Sequence, residues 1–200
     1  SKYVKFFGAG TERVEEEVRR YFKNARILRM DVDTTRAKDS HEKIYNAFKA
    51  READILIGTQ MVSKGLDFPN VTLVGILAAD MSLNLPDYRA AERSFQIITQ
   101  VAGRAGRGDK EGEVIVQTYT PEHYSLQYAK KYDYENFYEK EFTIRAMMGY
   151  PPFGRILLIN GSGKNEDELR KQMIYLGEKV KEKAEEFGGL EVLGPTPCII

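Results

Sequence analysis

The chain is 200 residues long, 42% hydrophobic and 30% charged, with a formal net charge of zero at neutral pH. That length allows one or two domains with a packed core, and the balanced charge argues against a protein that coats nucleic acid through a global field, so any DNA contact must be local. The longest apolar run, Val71 to Ala79, falls far short of the ~20 residues of a membrane-spanning helix.

Tyr3–Phe7 is a short strand candidate closed by Gly8 and Gly10. Glu12–Phe22 reads as a helix with Thr11 as its N-cap. Its acids, Glu12 and Glu15 to Glu17, sit at the positive end of the dipole, and Arg19, Arg20 and Lys23 at the negative end. Arg26–Met30 is a strand, followed by Met30-Asp31-Val32-Asp33-Thr34-Thr35, whose two carboxylates alone do not make a metal site. Asp39, with Glu42 at the capping-box offset, opens a helix to about Ala50 that buries Ile44, Ala47 and Phe48. Asp54–Gly58 and Val71–Ala78 are continuous apolar runs, as in strands covered on both faces. A helix from about Tyr88 to Ala105 and a strand at Glu113–Thr118 complete the alternation. The pattern predicts an α/β fold, a mostly parallel sheet with helices on both faces, and ligands gathered at the C-terminal strand ends.

The texture changes after Thr120. Pro121–Lys131 and Asp133–Met148 are tyrosine-rich helical segments (Tyr124, Tyr128, Tyr132, Tyr134, Tyr138), read as packing against a neighbour, with base stacking the alternative. Tyr150-Pro151-Pro152-Phe153-Gly154 is a boundary. A small α/β unit then begins, with a strand at Arg155–Asn160, a helix at Asn165–Phe187 and a strand at Leu190–Leu193. The expected division is residues 1–120, a helical connector 121–150, and the start of a second domain at 151–200.

Two segments carry the chemistry. Gln100-Val101-Ala102-Gly103-Arg104-Ala105-Gly106-Arg107 closes an apolar-periodic run (Ala91, Phe95, Ile98, Ala102). Its two guanidinium forks suit phosphate oxygens, and its glycines let a ligand approach the backbone closely. Upstream stands Gly58-Thr59-Gln60-Met61-Val62-Ser63-Lys64-Gly65-Leu66-Asp67-Phe68-Pro69. Together these resemble motifs VI and V of superfamily-2 helicases. The longer wording GTQMVSKGLDFPNVTLV, AAERSFQIITQVAGRAGR and GEVIVQT, flanked by GTERVEEE, RMDVDTT and MMGYPPFGR, resembles the replication-restart DNA helicase family, PriA or primosomal protein N′.

That resemblance implies the second RecA-like lobe of an ATP-dependent 3′-to-5′ helicase. Arg104 and Arg107 would be arginine fingers toward the γ-phosphate, with Gln100 coupling nucleotide to strand; the alternative for the arginines is solvated cations at a helix C-terminus. Thr59 and Gln60 would hold the single strand, and Gly65, Asp67 and Gly103 would face the nucleotide, Asp67 on its ribose; turn bonds by Asp67 and Asn70 around Pro69 are the alternative. Lys64 would bind phosphate or stand as a solvated lysine. Thr34 and Thr35 would touch the DNA backbone, turn and capping bonds being the alternative. ATP and Mg²⁺ would be held mainly by another lobe N-terminal to Ser1, since no Walker A or B motif occurs here. Zinc belongs to the full-length family member, and no metal site is expected in this segment. Implied partners are single-stranded and forked DNA, primosome proteins and single-strand-binding protein, with no membrane, in a bacterial cytoplasm. The rivals are a fork-regression translocase and a non-catalytic docking module.

Gly161-Ser162-Gly163-Lys164 mimics a phosphate loop, but Leu158 and Asn165 stand where glycine and Ser/Thr are needed, so it reads as a turn. The lone Cys198 reads as an inert thiol of a reducing compartment, and His41 and His123 as surface residues. Both ends read as cut from a longer chain.

Overall fold

The computed structural model describes residues 10–35, 40–59, 68–103 and 112–197. It divides into two compact units, 1–153 and 154–200.

In the first unit, helix α1 (Thr11–Tyr21) leads to strand β1 (Ile27–Met30), helix α2 (Ser40–Lys49) and strand β2 (Ile55–Gly58). Then come β3 (Leu73–Ile76), a single turn α3 (Asp80–Leu83), α4 (Ala90–Ala102), β4 (Glu113–Val116), α5 (Tyr124–Lys130) and α6 (Tyr134–Met148). The strands pair in parallel, as the βα alternation requires. Ile27 faces Ile55 and Met30 faces Gly58 in one ladder; Leu73 faces Glu113 and Ile76 faces Val116 in the other. Among the described residues these are two two-stranded sheets rather than one continuous sheet. The strand expected at Tyr3–Phe7 and the cap expected from Asp39 lie outside the described residues.

Two apolar clusters hold these layers. Met30 and Phe68 are buried with Ile44, Tyr45, Phe48, Leu56 and Val71 against them. Phe68 meets the Phe48 ring edge-on at 4.8 Å. The other cluster joins Phe95 and Ile98 of α4, Leu126 and Ala129 of α5 and Phe137 of α6, with Ile76 and Val116 of the strands packed on it. The Phe95 and Phe137 rings stack at 4.1 Å. Side chains of this size contribute roughly 1.5–3 kcal/mol each when fully buried. The tyrosine-rich helices are split between two roles. Tyr124 and Tyr128 pack against this cluster, whereas Tyr134 and Tyr138 remain exposed.

Polar knots fix the strand exits. Asp80, 2% exposed, accepts hydrogen bonds from the Thr118 hydroxyl (2.9 Å), the Tyr119 N–H (2.9 Å) and the Thr120 hydroxyl (2.8 Å). It thereby ties the exit of β3 to the exit of β4. At the end of β1, the buried Asp31 accepts from the Thr11 hydroxyl and from the Thr34 N–H at 2.8 Å, beside Arg29 at 3.1 Å. Thr11 is therefore not the cap of α1: Gly10 occupies that position, and Thr11 reaches across to Asp31 instead. His123 is not a free surface residue either. Its ring is half-buried, caps α5 by accepting from the Ser125 N–H and stacks on Tyr124 at 4.6 Å.

The second unit is built on α7 (Glu166–Phe187), capped by the Asn165 side chain accepting from the Glu168 N–H. The expected strands at Arg155–Asn160 and Leu190–Leu193 do not form. A strand needs a laddered neighbour to satisfy its backbone, and these segments pair with nothing among the described residues. Leu157 and Leu193 accordingly stay 86% and 84% exposed.

Burial alone would push the Asp80 carboxyl up; the donors from Tyr119, Thr120 and Thr118 outweigh it and hold its pKa below the ordinary value. A group depressed on folding stabilises above its unfolded pKa and loses that contribution as pH falls through the folded one. Asp80→Asn is expected to cost on the order of 1–3 kcal/mol at pH 7, the penalty for a buried donor facing the wrong group. Urea titrations should show that cost, and a shallower acid loss of stability in the variant than in the parent.

Candidate helicase-lobe site

Sequence-predicted site residues fall at two places. The first is the C-terminal edge of the β1–β2 ladder. Because Met30 faces Gly58, the Asp31–Thr35 turn and Thr59 leave the sheet side by side. Thr59 is exposed there. Thr34 and Thr35 are partly buried and their hydroxyls are engaged locally. The Thr34 Oγ accepts from the Asp31 N–H at 2.9 Å and donates to the Asp31 carbonyl at 3.2 Å, and the Thr35 Oγ donates to the same carbonyl. These are the turn bonds that the sequence left as the alternative to DNA contact. Asn70 accepts from the Arg51 guanidinium at 2.6 Å rather than turning back on the loop. Gln60, Lys64, Gly65 and Asp67 lie outside the described residues.

The second place is the end of α4. Its buried residues, Ala90, Ser94, Phe95 and Ile98, face the apolar cluster. Arg93, Gln96 and Gln100 face outward at the three- and four-residue spacing of one helical stripe. Gly103 closes the helix, its N–H donating to the Thr99 carbonyl at 3.0 Å. Arg104 and Arg107 continue the chain at the same spacing and lie outside the described residues. The helix points its carbonyl end, a region of partial negative charge, toward these positions. The described helix backbone, its carbonyls outward and the Gly103 N–H already given to Thr99, offers an anion no donor at this end.

The Gly161-Ser162-Gly163-Lys164 segment offers no phosphate cradle. Gly161 packs against α7; a Cβ on it would lie 2.5 Å from the Met173 sulfur. The helix N-terminus that follows is capped by Asn165 and carries Glu166, Asp167 and Glu168 in its first turn, which repels phosphate. An open cleft of about 510 Å³ between α1, β1 and α2 is lined by Glu12, Glu15 and Glu16 and by Arg19 and Arg29, both arginines already paired with Glu15, so it offers a nucleotide no uncommitted cation among its lining residues. Among the described residues no three His, Cys, Asp or Glu cluster around a metal position, and no helix is long and apolar enough to cross a membrane.

Sequence reasoning missed one polar hub. Arg145 of α6 binds both Glu92 of α4 and Glu141 of its own helix. Glu141 lies four residues from Arg145, but Glu92 lies fifty-three away, so no local pattern signals their meeting.

Residues 3–109 match the model of the helicase conserved C-terminal domain. With the parallel ladders and the α4 stripe, that match makes this chain an α/β, RecA-like helicase second lobe. Residues 146–200 match the primosomal protein N C-terminal domain. The chain is 50% identical over 198 residues to the replication restart protein PriA of Bacillus subtilis, covering 98% of this chain and 24% of that protein. It is 46% identical to the PriA of Synechocystis, over 100% of this chain and 24% of the relative, and 41% identical to that of Chlamydia trachomatis, over 96% and 26%. The chain belongs to the PriA replication-restart helicase family and spans about a quarter of the length of these curated relatives.

Gly103 has φ −66°, and among the described residues a Cβ on it would meet the Thr99 carbonyl tightly at 3.3 Å and the Gln100 carbonyl at 3.8 Å. The backbone does not require glycine there. Gly103→Ala is therefore expected to change stability by less than about 1 kcal/mol, read as a thermal melt. A large destabilisation would show that the helix end needs glycine for its own geometry.

Proposed function

We propose that this chain is the part of an ATP-dependent 3′-to-5′ DNA helicase that closes over nucleotide held by another lobe. Residues 1–120 would form that closing lobe, 121–150 its helical connector and 151–200 the start of a C-terminal domain. The observation that carries the reading is α4. Its buried face is anchored at Phe95 and Ile98, its exposed stripe ends at Gln100, and the chain runs directly into Arg104 and Arg107.

In this reading the two guanidinium groups meet negative charge as it develops on the transferring phosphoryl group. Gln100 couples the nucleotide to the strand from the last turn of α4. Gly65, Asp67 and Gly103 lie against the nucleotide, with Asp67 on its ribose hydroxyls. Thr59, with Gln60 and Lys64, grips a phosphate of the single strand at the β2 exit. Thr34 and Thr35 shape the adjoining rim, and their engaged hydroxyls favour a contact through that turn's backbone. Mg²⁺ and the triphosphate belong mainly to the other lobe. The DNA substrates would be single strands and stalled forks, and the proteins served would be those of the primosome and single-strand-binding protein, in a bacterial cytoplasm. Zinc would be held elsewhere in the full-length protein.

Arg104→Ala or Arg107→Ala in the full-length protein should lower DNA-stimulated ATP turnover by about 10³-fold or more, in the range of arginine fingers. ATP affinity should change little. Lysine should not restore the rate, because a point charge lacks the planar fork. Near-normal turnover in both alanine variants would falsify the assignment.

Thr59→Ala should instead weaken single-strand coupling, equally on every base sequence, because phosphate contacts carry no sequence information. A defect confined to ATP affinity would move Thr59 to the nucleotide side.

A further inference from the structure

We propose that Arg145 is a positioning residue that sets the rotation and register of α4, and through it the placement of the arginine-bearing segment. The inference rests on the reading of α4 given above. The Arg145 side chain is 14% exposed. Its Nε donates to Glu141 Oε1 at 2.9 Å, one terminal nitrogen to Glu92 Oε2 at 2.8 Å, and the other to the Pro151 carbonyl at 3.3 Å. The guanidinium lies over the Tyr88 ring at 5.1 Å, and Tyr88 packs on Tyr150 at 5.7 Å. The Tyr124 hydroxyl donates to the second Glu141 oxygen at 2.6 Å. One planar cation thus joins α4, Tyr88 just before it, α6, and the proline break that follows α6.

Apolar burial is non-directional. Phe95 and Ile98 hold α4 against α5 and α6 and decide which of its faces turns inward, but apolar contact leaves the finer turn about the helix axis unpinned. A guanidinium with three acceptors in fixed directions pins it. Glu92 also accepts from Gln96 at 3.0 Å, so the hub continues onto the exposed stripe. From Glu92 to Ala102 is roughly 15 Å of helix at 1.5 Å per residue, short and stiff enough to carry a rotation to its far end. A misplacement of ~1 Å at a reacting centre can cost about 10²-fold in rate, so the hub bears on turnover although it touches neither nucleotide nor DNA.

The test uses full-length protein carrying Arg145→Met, Arg145→Lys, Glu92→Gln, and Glu92→Gln combined with Arg145→Met, each assayed well below its melting temperature. Arg145→Met should lower DNA-stimulated kcat about ten-fold with the ATP KM within about two-fold. Lysine should fail to restore it, and Glu92→Gln should add nothing to the Arg145→Met loss, because both remove one linkage. Amide exchange at residues 99–103 should rise in the same variants. An unchanged kcat, or losses from the two sites that simply multiply, would overturn the proposal while leaving the arginine-finger reading intact if Arg104→Ala is inactive. If Arg104→Ala and Arg107→Ala are both active, that reading fails instead. Amide exchange then decides alone: faster exchange at 99–103 upholds Arg145 as the residue that positions α4, and unchanged exchange there overturns it.

Discussion

The burial of one face of α4 is the constraint on which the rest of the first unit depends. Phe95 stacks on Phe137, and Ile98 sits among Leu126 and Ala129. That face must point inward, so the opposite stripe must point out. A helix sunk on both sides would hide Gln100, and one packed loosely would let it wander. The tyrosine-rich helices α5 and α6 are therefore part of the site's foundation. They supply the surface against which the functional helix is pressed.

The buried carboxylates serve the same end by a different force. Asp31, Asp80 and Glu141 are each nearly inaccessible, and an isolated buried charge would be costly. Each is instead surrounded by donors. For Asp31, burial alone would raise its pKa, but the hydroxyl of Thr11, the bonds from Thr34 and the charge of Arg29 outweigh it and hold it low. Each acid closes a turn or joins two elements, so all three are committed to structure. In the proposed reading, chemistry falls to the exposed stripe of α4 and to the strand exits.

Much of this was legible in the residues. Continuous apolar runs marked β2 and β3, read as strands covered on both faces, but one face of β3 and of β4 stays exposed, with Leu73 and Ile115 at 57% and 54%. Strand ends shifted by one or two residues where tertiary contacts intervened: Val71 packs against Phe68 instead of extending β3, and Ala78 turns the chain out of β3 at φ 51°. The helicase resemblance carried by the motif segments agrees with the helicase C-terminal domain match over residues 3–109. The strands expected after Gly154 carried the right apolar text, but a strand exists only with a neighbour, and sequence pattern does not show whether one is present. Thr11 had the right chemistry for a cap and was drawn away by Asp31, twenty residues on. The Arg145 hub was invisible for the same reason: its meaning lies in which helices touch.

The central claim is that this lobe brings cations to a nucleotide that another lobe holds. The most direct measurement is a structure of the full-length protein with single-stranded DNA and a non-hydrolysable ATP analogue. At least one of the Arg104 and Arg107 guanidinium groups should lie at hydrogen-bonding distance, about 3 Å, from a γ-phosphate oxygen, with Thr59 on a DNA phosphate. Both guanidinium groups turned to solvent or to DNA, with the γ-phosphate met only by the other lobe, would contradict it.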